Sequence, residues 1–210
     1  QGNGSGQELL SMERALRGAL FVLCLCPFAW LCYGAFAGAL GPDPAEHVML
    51  ETGEWSLRIL ALTLLMSPLR SWSGRSLPLK LRRMCGLYAF FYACVHLLAF
   101  VQFYTGWSAA ALLEELAERP YITAGFAAWL LMLPLALTST RGMQRRLRRH
   151  WARLHRLVYP AAVLACLHLL WQARSDIGEA LVYLLLFGLL LAWRVRRRAM
   201  AGRVRPAAGG

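Results

Sequence analysis

The chain has 210 residues, 58% of them hydrophobic, and a formal net charge of +12; its mean hydropathy is +0.45. That is too apolar for a soluble domain and too long for one or two membrane spans, and it leaves almost no length for an aqueous domain. In a soluble protein, 23 Lys and Arg against 11 Asp and Glu would point to nucleic acid; here the cations sit in short segments between apolar runs, so membrane topology accounts for them and no nucleic-acid partner is needed.

Residues 1–11 open on QGNGSG, which reads as a protease-cleavage scar with a linker and no ordered structure; Met12 is a natural start. The first apolar run, about 17–40, is longer than the ~7–15 residues of a signal-peptide core and is read as a spanning helix. Five more runs follow near 55–70, 84–104, 120–138, 157–173 and 180–194. Each approaches the about 20 residues that a span needs, and the short second and sixth call for a thinned bilayer or extension into their flanks. The alternating segments of a β-barrel are absent, and no internal repeat is evident. The expected fold is an all-α integral membrane protein: a bundle of six transmembrane helices forming one domain over 12–198, then a basic tail over 199–210.

The segments between the runs alternate in charge. Residues 70–83 carry Arg70, Arg75, Lys80, Arg82 and Arg83 and no acid, and residues 141–156 carry seven arginines and no acid. The tail adds Arg194, Arg196, Arg197, Arg198, Arg203 and Arg205. The intervening loops, 41–54 and 105–118, hold Asp43, Glu46, Glu51, Glu54, Glu114, Glu115 and Glu118. By the positive-inside rule both termini and the two basic loops are cytoplasmic, which requires an even number of spans. The basic segments also suit anionic lipid or a cytoplasmic partner. Cys24, Cys26, Cys32, Cys85, Cys94 and Cys166 all fall in apolar runs without CxxC spacing and are read as small buried residues. Trp55, Trp72, Trp107, Trp151 and Trp171 lie near span ends, as an interfacial belt does.

Five histidines occur. His47 and His150 fall in loops and read as solvated. His96 lies inside the third run, His168 inside the fifth, and His155 at the fifth run's cytoplasmic entrance. Ionisable residues within spans are costly and usually functional. Counted from the inner ends of two parallel helices, His96 and His168 lie about 18 and 17 Å along, at nearly equal depth. That suits two axial ligands of one haem iron in the outer half of the membrane. His155 lies about 20 Å lower, the place for a second haem, but an ideal helix sets it about 140° from His168; sharing a face needs a bend or local rewinding, for which Pro160 is a candidate. A partner for His155 is missing, because the position two heptads before His96 holds Arg82. A guanidinium is a poor iron ligand, and Arg82 or Arg83 can instead pair with haem propionates. Zinc and copper are disfavoured by the depth difference, and no GxSxG or membrane-embedded acid supports hydrolysis.

Two long phrases carry a resemblance: LPLKLRRMCGLYAFFYACVHLLAF (77–100) and RPYITAGFAAWLLMLPLALTSTRGMQRRLRRHWARLHRLVYPAAVLACLHLLW (119–171). From about Met12 to Arg194 the chain resembles the MsrQ (YedZ) family, haem-binding membrane subunits of bacterial methionine sulfoxide reductase systems, within the ferric reductase and NADPH oxidase transmembrane superfamily. Members of that superfamily pair two histidines on each of two helices; Arg82 stands here in place of one of the four. The resemblance implies a multi-pass protein of the bacterial inner membrane that conducts electrons through haem b, and through FMN, without catalysing sulfoxide reduction itself. The donor would be a cytoplasmic flavin reductase or the quinone pool, and the acceptor the periplasmic molybdopterin subunit MsrP. Arg145 and Arg146 offer a contact for the FMN phosphate. The competing readings are a b561-type quinol cytochrome and a non-redox multipass transporter or scaffold whose histidines bond neighbouring helices.

Overall fold

The computed structural model describes residues 2–173 and 177–203, and among them the regular structure is helical throughout. The elements are α1 (Gly2–Ala37), α2 (Pro44–Ser73), α3 (Leu77–Phe100) continued by a π-turn (Val101–Thr105), α4 (Ala109–Glu118), α5 (Pro120–Leu137), α6 (Arg141–Leu147), α7 (Arg149–Leu154), a 3₁₀ turn (His155–Leu157), α8 (Val158–Gln172) and α9 (Ile177–Arg203). Residues 2–11, expected from the sequence to lack ordered structure, form the opening turns of α1. Arg205 and the rest of the tail from 204 on lie outside the described residues.

Among the described residues, five segments are long and apolar enough to cross a membrane: Ser11–Ala37, Leu77–Thr105, Pro120–Leu137, Arg149–Gln172 and Ile177–Arg197. They present Phe21, Leu23, Trp30, Tyr33, Val182, Leu185 and Leu189 outward, and Phe36 is 94% exposed. Surfaces of this kind belong against lipid, so the chain is a multi-pass membrane protein. The second expected run, 55–70, lies inside α2, whose 30 residues reach about 45 Å; Glu46, Glu51, Glu54, Arg58 and Arg70 keep this helix below the apolarity of the other five.

The acidic segments expected as loops are largely helical. In 41–54 the reason is local: the Asp43 side chain accepts a hydrogen bond from the Glu46 amide at 2.9 Å, and Pro44 occupies the first helical position, where its missing N–H costs nothing. Asp43→Ala is expected to lower stability by about 1 kcal/mol; a detergent-solubilised variant with an unchanged thermal midpoint would rule the cap out. Residues 109–118 form α4, and the basic segment 141–156 forms α6 and α7, joined at Arg148 in a positive-φ conformation (φ 45°).

The helices gather into two compact units, the first ending at Glu115 and the second beginning at Leu116. In the first, α2 and α3 pack along most of their length. Cys85, Ala89, Tyr92 and Ala99 form the buried seam of α3, facing a side of α2 that includes Leu57, Leu60 and Leu64. Small residues let the two backbones approach, and Ser56 Oγ donates to the Ala89 carbonyl at 3.0 Å. His96 continues the spacing of this seam. Tyr92, 0% exposed, inserts its hydroxyl into α1: it accepts from the Phe28 amide at 3.0 Å and donates to the Cys24 carbonyl at 2.8 Å. Both contacts lie beside Pro27, which has no N–H to give the helix.

In the second unit α5 packs on α8 through Ala124, Ala128, Met132, Ala161, Ala162 and Cys166, and α9 lies along α8. Between His155 and His168 the winding does change locally, as a 3₁₀ turn at His155–Leu157. Pro160 instead sits in the first turn of α8, where a proline is tolerated.

The cysteine reading needs one correction. Cys24, Cys85 and Cys166 are buried, Cys32 and Cys94 are half-buried, and Cys26 is exposed. Residues two apart on a helix point to widely separated sides, so burying Cys24 turns Cys26 outward.

Candidate functional site

His96 and His168 are held by the same local device, one in each unit. His96, on α3, leans against α2; its Nδ1 lies 3.0 Å from the Met49 carbonyl. His168, on α8, leans against α5; its Nδ1 lies 2.7 Å from the Tyr121 carbonyl. A carbonyl only accepts, so Nδ1 is the protonated nitrogen in both rings and the lone pair resides on Nε2. This is the arrangement by which proteins orient an imidazole that ligates a metal, the backbone oxygen fixing tautomer and ring plane. Both residues are half-buried, and the Tyr121 ring stacks near His168 with centroids 6.2 Å apart.

The helix face under each ring is open. One turn after Met49 stands Gly53, where a Cβ would come within 3.2 Å of His96 Nδ1 and Cε1; one turn after Tyr121 stands Gly125, where a Cβ would come within 2.9 Å of His168 Nδ1. Each histidine lies 47 residues beyond its carbonyl. Neither carbonyl nor glycine is singled out by the sequence reading, although the repeated glycine-to-histidine spacing is present in the chain.

His155 is held differently. Its ring stacks on Trp151 with centroids 4.0 Å apart, and its Nε2 lies 3.2 Å from Thr138 Oγ1. The Thr138 hydroxyl donates to the Pro134 carbonyl at 2.6 Å. Having one proton, it accepts from His155 Nε2–H, and a neutral His155 then carries its lone pair on Nδ1. Trp151, read from the sequence as a belt residue, donates its indole N–H to the Thr138 carbonyl at 3.0 Å and so closes this cluster at the junction of α7 and α8.

Arg82 is half-buried beside α2 and donates to Ser67 Oγ at 3.3 Å, while Arg83 is exposed. Arg145 and Arg146, in the last turn of α6, are exposed, as are His47 and His150. Each unit thus holds one imidazole oriented as a haem-ligating histidine is, with its lone pair on Nε2; among the described residues no group of three or more His, Cys, Asp or Glu is placed to hold a metal ion.

The model of the ferric reductase like transmembrane component family matches residues 52–166. The chain is 45% identical over 195 residues to the protein-methionine-sulfoxide reductase haem-binding subunit MsrQ of Xanthomonas campestris pv. campestris (strain 8004), covering 90% of this chain and 89% of the relative. It is 46% identical over 200 residues to the protein of the same name from Rhodospirillum rubrum, covering 92% and 95%. No solved structure matches. With over half of the chain matched by the family model and such identities along nearly the full length of the relatives, the chain belongs to the MsrQ family of ferric reductase-like membrane proteins.

Proposed function

We propose that this protein is the membrane electron-transfer subunit of a methionine sulfoxide reductase system, carrying electrons through haem b to a periplasmic molybdopterin partner, MsrP. The relatives' names supply haem binding and the reductase. Within this chain, the supporting observation is the pair of histidines anchored through Nδ1 to helix carbonyls. We assign His96 and His168 as the residues that would hold the haem iron, each through Nε2; their nearly equal depth, counted along the sequence, argues for a single iron. The haem would supply a one-electron carrier within the membrane layer.

The chain's own residues do the rest. The two carbonyls hold the imidazoles in the ligating tautomer and make them more basic. The apolar spans keep water from the carriers, which favours the lower-charge oxidation state. Arg82 and Arg83 are suited to countering propionate charge. His155, with its lone pair on Nδ1, is the candidate ligand of a second haem nearer the cytoplasm. FMN rests on the family, with Arg145 and Arg146 as the proposed phosphate contact.

The proposed topology has six spans, α2 supplying the second, with both termini cytoplasmic in the bacterial inner membrane. Local pairing eases the charge on α2: Arg58 pairs with Glu54, and Trp55 donates to Glu51 at 3.1 Å. Electrons would enter from a cytoplasmic flavin reductase or from quinol. The test is a reduced-minus-oxidised spectrum of the purified protein, with haem and flavin counted per chain. A b-type band whose electrons pass on to a molybdopterin sulfoxide reductase is expected; a colourless protein would sink the reading, and a band that reduces only quinone would make it a b561-type cytochrome.

A further inference from the structure

We infer that Gly53 and Gly125 are positioning residues for the two imidazoles. Each is the gap in a helix that lets a histidine of the neighbouring helix dock on the carbonyl one turn earlier. The role toward haem rests on the proposed ligand reading; the docking itself does not.

The argument begins with helix geometry. A Cα–Cβ bond leans toward the helix N-terminus, so the side chain at position i+4 leans back over the carbonyl at i. An imidazole bonded to the carbonyls of Met49 or Tyr121 occupies that space. A Cβ at Gly125 would meet His168 Nδ1 at 2.9 Å and Cε1 and Cγ at 3.0 Å; a Cβ at Gly53 would meet His96 Cε1 and Nδ1 at 3.2 Å. The rings are tied to backbone by their own hydrogen bonds, so they cannot swing aside as a flexible chain end would. The two positions also differ in degree, and Gly125 is the tighter.

Five other helix glycines behave otherwise. Gly18, Gly142 and Gly188 have nothing within 4 Å of an added Cβ; Gly86 would meet only Thr63 Cγ2 at an ordinary 3.6 Å, and Gly34 the flexible end of Leu40. Glycine inside a helix is unfavourable relative to alanine. A glycine under each of two imidazoles, in two separately packed helix pairs and with the same carbonyl-to-histidine spacing, is therefore a requirement of the seat rather than of the helix.

The test uses the full-length protein in detergent. Gly125→Ala is expected to lower bound haem several-fold, with Gly53→Ala smaller in effect. Haem that remains in either variant should titrate at a higher midpoint potential, because an imidazole that loses its Nδ1–H to carbonyl bond is a weaker donor. Gly188→Ala should leave haem content and potential unchanged. His168→Ala and Gly125→Ala/His168→Ala complete a double-mutant cycle read by thermal midpoint and yield: with the imidazole gone, alanine at 125 should cost nothing. If Gly125→Ala does not accumulate, recovery in the double variant supports the seat, and failure to recover overturns it. Wild-type haem content, potential and midpoint in both glycine variants would also overturn it. A His168→Ala protein that keeps its full haem would instead overturn the ligand reading beneath it, leaving the cycle to decide the seat.

Discussion

Replacing either His96 or His168 by alanine is expected to abolish the b-type band assigned to the His96–His168 haem and to lower haem per chain by that one equivalent. Each imidazole is fixed in ring plane and tautomer by a backbone carbonyl, at 3.0 Å for His96 and 2.7 Å for His168. Removing only the supporting partner of a metal-ligating histidine typically costs about 10–100-fold in affinity, so removing the ligand itself should cost more. Haemochrome analysis per chain measures this directly. His96→Ala with wild-type haem stoichiometry would break the proposed pair. His155→Ala provides the contrast: its ring belongs to the Trp151–Thr138 cluster, so the band assigned to the His96–His168 haem should survive.

The largest stability effect outside the ligands is expected at Tyr92. Its phenol is fully buried and its hydroxyl stands inside the backbone ladder of α1, between the Phe28 amide and the Cys24 carbonyl. Tyr92→Phe removes the bridge and leaves a donor and an acceptor apart in an apolar setting, where water cannot replace it. The expected loss is about 1–3 kcal/mol. Tyr92→Ala adds a cavity and should cost about 3–5 kcal/mol, as aromatic truncations in packed cores do. Ring packing accompanies the hydrogen bonds, Tyr92 lying 5.4 Å from Phe91 and 6.4 Å from Trp55 between centroids. Thermal or denaturant unfolding in detergent reads both variants. Tyr92→Phe with an unchanged midpoint would mean that the two hydroxyl hydrogen bonds contribute nothing to stability.

Some structure was open to the sequence and some was not. Asp43-Pro44 is a helix start in plain view, yet the acidic residues after it pull the reading toward a loop; in fact Glu46, in the first turn, carries a charge that favours a helix N-terminus and supports the cap. The angular offset of His155 from His168 follows from ideal helix geometry, and with it the need for a bend or rewinding if the two are to share a face. The location of the rewinding does not: Pro160 is the conspicuous residue, but a proline in the first turn of a helix disturbs nothing, and the 3₁₀ turn forms where His155 meets Trp151 and Thr138.

What the sequence determined by itself is whatever composition and periodicity encode along one chain: apolar segments long enough for a membrane, basic and acidic segments in alternation, three histidines at membrane depths, and phrases that place it in a family. What only the tertiary structure decided is how those histidines are held. The Met49 and Tyr121 carbonyls carry no side-chain signature, and each lies 47 residues from its imidazole. Which backbone oxygen meets which ring depends on the register of α2 against α3 and of α5 against α8. That register is set by seams of small residues, where a shift of one turn would place a different carbonyl, and a Cβ instead of a glycine, beneath the ring.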